Sequence, residues 1–200
     1  MFFAFIHELG HMLSGILLGF KPESLEIMPF GLSIGFKSKV ENYNKKIKKG
    51  TLLTLKKIII AASGPFTNLV FILIFLIFPI SFVGISRELI IYSNILIAIF
   101  NLIPIYPLDG GRIINEILHI FLGRRDAYKY TNIISNLTIS ITTAITSIVI
   151  LKIKNIAILI ILAYLWYLVI KENRRYKNKL KIYKKIDAKK KPKMSIRFLI

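Results

Sequence analysis

The sequence predicts an all-α polytopic membrane protein. Three observations carry that prediction. The 200-residue chain is 54% hydrophobic with a mean hydropathy of +0.62, above what a soluble domain of this size carries. Its apolar residues gather in blocks nearly free of charge, where a half-buried strand or surface helix would alternate. Its basic residues sit in alternate connections between those blocks, as the positive-inside rule requires.

Five blocks are expected to span: Met1–Phe20, Ile58–Val83, Leu89–Ile103, Ile133–Leu151 and Ile156–Ile170. A transmembrane helix needs about 20 apolar residues, within a range of about 17–25. Two blocks fall short of that and must borrow polar flanks. Helices are the expected form because lipid cannot satisfy unpaired backbone. The first block is not a signal peptide: it lacks a basic start and a small-residue cleavage site, and carries His, Glu and His in its middle. Gly15 and Gly19 are a small-residue pair suited either to close helix approach or to no special role.

Between the first two blocks lies the polar segment Lys21–Lys57, in which residues 29–36 read as a short strand or hairpin. The second block opens on Ala61-Ala62-Ser63-Gly64-Pro65-Phe66-Thr67-Asn68, where small residues and a proline favour close packing or a kink. The third block ends in Asn101-Leu102-Ile103-Pro104-Ile105-Tyr106-Pro107-Leu108-Asp109-Gly110-Gly111. Two prolines and two glycines there cannot continue a helix, and irregular backbone at membrane depth must line a cavity or be covered by protein. A short helix over Arg112–Leu122 should follow, and the last two blocks read as plain spans. The tail after Ile170 is basic, helical at first and attracted to anionic lipid. The organisation is thus a membrane-embedded domain, 1–170, and a basic tail, 171–200.

The net charge is +19, which raises nucleic-acid binding as a function class. Charge placement argues against it. Of the 29 basic residues, 26 fall in three segments, Lys21–Lys57, Arg112–Lys129 and Lys171–Arg197, all on one side of the predicted topology. That side should be the cytoplasm. The chain has no cysteine, so it can form neither disulfides nor thiolate metal sites.

The chemistry concentrates in His7-Glu8-Leu9-Gly10-His11. Helical residues four apart share a face, so both imidazoles can reach one metal ion, and the Glu between them can take a proton from water. Three ionisable residues in five, inside an apolar segment, would be hard to stabilise without a metal. A catalytic zinc takes three protein ligands and leaves one position open. Of the acids within or beside apolar blocks, Asp109 lies on the broken segment that already needs a cavity, and it becomes the third ligand. Its alternative role is N-cap of the helix that follows. Glu116 and His119, three apart, have a spacing that can bind metal on a bundle helix, but a di-iron site needs more inward carboxylates than the chain offers, and His119 is expected to be a hydrogen-bonded helix residue.

These motifs resemble the site-2 protease family of intramembrane zinc metalloproteases. The match rests on His7–His11, Pro29-Phe30-Gly31, Ser63–Asn68 and Asn101–Gly111, and within the family it is nearest to the stage IV sporulation protein FB group. The resemblance implies one zinc held by His7, His11 and Asp109, with Glu8 activating water. It also implies Asn68 and Asn101 as contacts to substrate or oxyanion. It further implies a membrane-tethered substrate, the precursor of a sporulation sigma factor, and membrane-bound regulatory or inhibitory proteins. The expected setting is a bacterial inner membrane around the forespore, with lipid and no nucleic acid as partner. The family's usual span before the histidine motif and its CBS-type nucleotide-sensing domain are both expected to be missing. Two other classes compete: a zinc transporter, which needs the ligands but no general base, and a catalytically silent metal-binding scaffold. The strand near Gly31–Phe36 is expected to hold an unwound substrate by strand addition.

Overall fold

The computed structural model describes residues 2–28, 31–37, 47–78, 84–153 and 155–190. In order these form α1 (Phe2–Leu17), β1 (Lys21–Met28), β2 (Gly31–Lys37), α2 (Ile47–Ile77), α3 (Arg87–Leu102), α4 (Asp109–Ile153) and α5 (Ile156–Lys190). Pro29, Phe30, the end of the second apolar block at 79–83 and the tail beyond residue 190 lie outside the described residues.

Among the described residues, three helices are long and apolar enough to cross a membrane, over Thr51–Ile77, Asp109–Leu151 and Ile156–Tyr183. The two others are shorter. α1 and α3 have 16 residues each, about 24 Å at 1.5 Å per residue, against a hydrocarbon core of about 30 Å. α2 is the hub, packing against α1, α3 and α4, while α5 packs on α4.

α1 stops where glycine lets it. Gly19 takes φ 86, the left-handed conformation in which a side chain would be strained. The Phe20 N–H donates to the Gly15 carbonyl at 2.9 Å and the Gly19 N–H to the Ile16 carbonyl at 2.9 Å, the paired bonds of a Schellman cap. Gly19 is therefore a helix stop and not half of a packing pair, and a Cβ there would meet nothing within 4 Å.

The hairpin is wider than residues 29–36. β1 and β2 pair antiparallel from Lys21 opposite Lys37 to Met28 opposite Gly31, with an irregularity between Pro22 and Ser24. Ser24-Leu25-Glu26-Ile27 alternates polar and apolar residues with the period of a strand, so the signal for β1 was present.

Ser86 caps α3, its hydroxyl accepting from the Leu89 N–H at 3.3 Å. Arg87, a basic residue in the poor set of connections, donates from Nε to the Phe75 carbonyl at 2.5 Å and from Nη2 to the Leu76 carbonyl at 2.8 Å. It thereby closes the C-terminus of α2. The expected short helix ends where Gly123 leaves helical geometry at φ 78 and ψ 167, and the longer part of α4 continues beyond that kink.

The broken segment between α3 and α4 is covered by protein, as its position demands. Ile105 and Leu108 are buried with Ile139 of α4 and Leu165, Leu168 and Val169 of α5. The Tyr106 N–H donates to Ser135 Oγ at 3.0 Å, and the Tyr106–Pro107 peptide is cis. α4 and α5 are also joined by asparagines: Asn132 and Asn136 donate to Asn173 Oδ1 at 2.5 and 3.1 Å, and Asn173 donates back to Asn136 Oδ1 at 2.9 Å. The last two helices are thus not plain spans, because they brace the break. α5 runs unbroken through residues 170 and 171, passing from apolar to basic without a structural boundary.

Candidate metal centre

α1 brings two imidazoles to one face, and the break brings a carboxylate to meet them. His7 is 2% exposed, His11 4% and Asp109 4%. His7 Nε2 lies 3.0 Å from Asp109 Oδ2, His11 Nε2 lies 3.1 Å from the same oxygen, and the two Nε2 atoms are 3.3 Å apart. Donor atoms of His7, Glu8 and His11 also fall within 4.8 Å of one another, with Glu8 half-buried. Helical spacing alone accounts for the histidine pair. Asp109 reaches it because the chain turns back on itself before α4 starts.

That turn depends on two glycines. A Cβ on Gly110 would lie 2.8 Å from the Ile103 carbonyl oxygen, and one on Gly111 would lie 2.6 Å from Tyr106 Cα. Both obstacles are backbone, which cannot rotate away as a side chain can. Asp109 is the first residue of α4, where a carboxylate suits the positive end of the helix. The Arg112 guanidinium lies 3.9 Å from its other oxygen, Oδ1.

The second nitrogens of the imidazoles decide what the first can do. His11 Nδ1 lies 2.6 Å from the Ile60 carbonyl, which only accepts, so Nδ1 carries the proton. His7 Nδ1 lies 3.0 Å from Asn68 Oδ1. The Asn68 amide is oriented by its own donor, which bonds the Asn94 carbonyl at 3.3 Å, so His7 Nδ1 also donates. With both Nδ1 atoms protonated, neutral imidazoles present bare lone pairs at Nε2. When both imidazoles are neutral, two lone pairs and a carboxylate oxygen converge there, a donor set that suits a cation.

The spacing suits zinc. Tetrahedral zinc with bonds of about 2.0–2.1 Å holds its ligands about 3.3–3.4 Å apart, close to the 3.0–3.3 Å found among these three donors. Gly64 supplies the room. A Cβ there would lie 2.6 Å from His7 Nε2 and 2.5 Å from His11 Cε1, and would touch His11 Nε2 as well. Only a residue without a side chain leaves that space free. Around it α1 and α2 meet through small residues: Ser14 and Ser63 hydroxyls are 2.9 Å apart, and a Cβ on Gly10 would come within 3.0 Å of the Ser63 carbonyl.

The other singled-out residues are placed differently. Asn68 is 1% exposed, with its carbonyl toward His7 and its amino group toward Asn94. Asn101 is half-buried and donates to the Ile97 carbonyl of its own helix at 3.1 Å. Glu116 and His119 stand apart from the donor cluster, where His119 Nδ1 lies 3.5 Å from Glu116 Oε2 and 3.4 Å from Thr54 Oγ1. Lys57 Nζ is 3.8 Å from Glu116 Oε1, so these residues tie α2 to α4. The sequence reading missed the space left by Gly64 and the brace from Ser135. For Gly64 the signal was the run of small residues ahead of Pro65. For Ser135 there was none.

α1 ends at Leu17, so His11 and His7 stand about 9 and 15 Å along the helix from that end.

Comparison with known proteins gives one consistent answer. Residues 81–145 match the profile of peptidase family M50, a stretch covering α3, the break and most of α4. A zinc metalloprotease of Methanocaldococcus jannaschii is 28% identical over 190 residues, covering 92% of this chain and 50% of the relative. The chain therefore spans about half the length of the curated relative it matches. The solved structure of a site-2 protease from the same organism superposes with a TM-score of 0.57 at 25% identity, covering 84% of this chain and 72% of that one.

Proposed function

We propose that this chain, a relative of the site-2 proteases of peptidase family M50, is the membrane-embedded core of a zinc metalloprotease that cleaves membrane-associated proteins. The observation that carries the reading is the convergence of three donor atoms 3.0, 3.1 and 3.3 Å apart from two separate elements. Both histidine Nδ1 atoms are committed elsewhere, which leaves the Nε2 lone pairs for a metal.

In this reading His7, His11 and Asp109 hold one zinc. When bound, zinc supplies a Lewis acid for the scissile carbonyl and lowers the pKa of water to about 7. Glu8, next to His7 and half-buried, accepts the proton of the attacking water and delivers it to the leaving amine. Asn68 holds His7 in the Nδ1-protonated form, a positioning role in place of the substrate contact implied by the resemblance. Asn101 keeps its proposed place near substrate, on the residues that lead into the break. In this reading an unwound substrate strand adds to β2, whose described pairing is with β1 alone among the described residues.

The basic segments face the cytoplasm in this reading, and residues 171–200 form a basic extension of the membrane core. A transport path would need successive ligand sets, whereas the described residues contain one metal-ligand cluster.

Coexpression with membrane-tethered candidate substrates, wild type against Glu8→Gln, tests the proposal. Cleavage should fall by about 10²–10⁴-fold in the variant while zinc content stays unchanged. Equal cleavage by both proteins would refute it, and zinc movement across vesicles by the variant would favour transport. A membrane-associated sigma-factor precursor belongs in the substrate panel as the narrower substrate implied by the resemblance.

A further inference from the structure

Asp109 shows its two oxygens to different neighbours. Oδ2 lies 3.0 Å from His7 Nε2 and 3.1 Å from His11 Nε2, while Oδ1 lies 3.9 Å from Nη1 of Arg112. We propose that Arg112 is a positioning residue: its charge draws Oδ1 away from the metal, so that Asp109 is a one-oxygen ligand and the fourth position of the zinc stays open for water. The proposal rests on the zinc reading of the donor set.

Three observations single out Arg112. It is the only lysine or arginine between Arg87 and Arg124. It stands in the first turn of α4, its backbone N–H donating to the Leu108 carbonyl at 2.9 Å. That end of a helix favours acids and disfavours cations, so the dipole does not explain an arginine there. Arg112 also passes over its ordinary partner. Glu116 lies four residues on, the usual spacing for an ion pair on a helix. Yet Glu116 pairs with Lys57 of α2 at 3.8 Å and with His119 at 3.5 Å. Among the described residues, the carboxylate paired with Arg112 is that of Asp109.

Coordination chemistry gives this pair a task. A carboxylate can bind a metal through one oxygen or through both. Catalytic zinc takes three protein ligands and keeps one position for water. A second oxygen from Asp109 would compete for that position. At 3.9 Å the contact between Arg112 and Asp109 is longer than a hydrogen bond, so the guanidinium acts as a charge and not as a fork. The Asp109 side chain is 6% exposed and that of Arg112 39%. The buried carboxylate is therefore little screened, while the guanidinium keeps part of its hydration. Arginine suits the place because it stays protonated.

Cobalt(II) loaded in place of zinc tests this, because four-coordinate cobalt absorbs strongly in the visible and higher-coordinate cobalt weakly. The full chain carrying Arg112→Gln should lose that absorption severalfold relative to wild type. Arg112→Lys, which keeps the charge, should restore it. Cleavage by the zinc form of Arg112→Gln should fall about 10–100-fold, in kcat and not in KM, at full zinc content. A residue that only steadied the first turn of α4 would lower the thermal midpoint and leave the cobalt spectrum of the folded protein unchanged, which would overturn the proposal and leave the protease reading standing. X-ray absorption at the zinc edge of wild type needs no variant and decides if Arg112→Gln fails to fold. About four nitrogen and oxygen neighbours would support the proposal, and a higher count would overturn it. Wild type that takes up neither metal would end both this proposal and the protease reading.

Discussion

Replacing Gly64 with alanine puts one methyl group into the proposed metal centre. The added Cβ would lie 2.6 Å from His7 Nε2 and 2.5 Å from His11 Cε1, where ordinary contacts begin at about 3.4 Å. Relief requires about 0.8–0.9 Å of separation at each imidazole. Neither ring can swing freely, because His7 is tied to Asn68 and His11 to the Ile60 carbonyl. Gly64 cannot retreat either, since it sits mid-helix in α2, the hub on which α1, α3 and α4 pack. Metal bonds tolerate about ±0.2 Å, so the required displacement exceeds the tolerance about fourfold. Loss of a supporting residue costs 10–100-fold in metal affinity, and direct intrusion should cost at least the upper end of that range. The assay is zinc content of purified protein, followed by competition with a chelator of known affinity. Helix content by circular dichroism and thermal stability serve as controls for folding. Gly64→Ala protein that folds and binds zinc with wild-type affinity would show that the space over Gly64 is not where the metal sits, and the ligand assignment would fall with it.

Three further outcomes follow from the same geometry. Asn68→Leu removes the acceptor behind His7 and frees its tautomer, so zinc affinity should drop about 10–100-fold while thermal stability measured without metal changes less. Ser135→Ala leaves the Tyr106 N–H without its acceptor, which should destabilise the fold by about 1–3 kcal/mol, read as a lower thermal midpoint at unchanged zinc stoichiometry. Stripping the metal with a chelator should abolish proteolysis, and zinc should restore it where magnesium, which prefers octahedral oxygen ligands, does not.

The candidate metal centre was more legible in the sequence than the scaffold around it. His7 and His11 declare themselves through the four-residue spacing of a helix, and Asp109 through a break that only a cavity or protein cover permits. Both signals are local. Gly64 and Ser135 matter through what lies opposite them in space, and no local pattern encodes that. The same distinction explains the helix ends. Gly19 was visible as a glycine, but its role as a stop depends on the two bonds donated by Gly19 and Phe20. β1 is written in an alternating pattern, but its proline and charges resemble those of a loop. The contribution of α4 and α5 was hidden for a different reason: apolar residues that brace the break are indistinguishable in sequence from those that face lipid.

The ligand set also has an order in time. His7 and Asp109 are separated by 102 positions, so during synthesis the imidazoles enter the bilayer long before the carboxylate exists. A nascent chain stopped short of Asp109 carries an incomplete grip on any ion. Even after Asp109 emerges, its approach depends on Ile139, Leu165 and Leu168, which are made later still and pack over the break. In the proposed reading, the donor set is therefore complete only when translation has delivered the far helices.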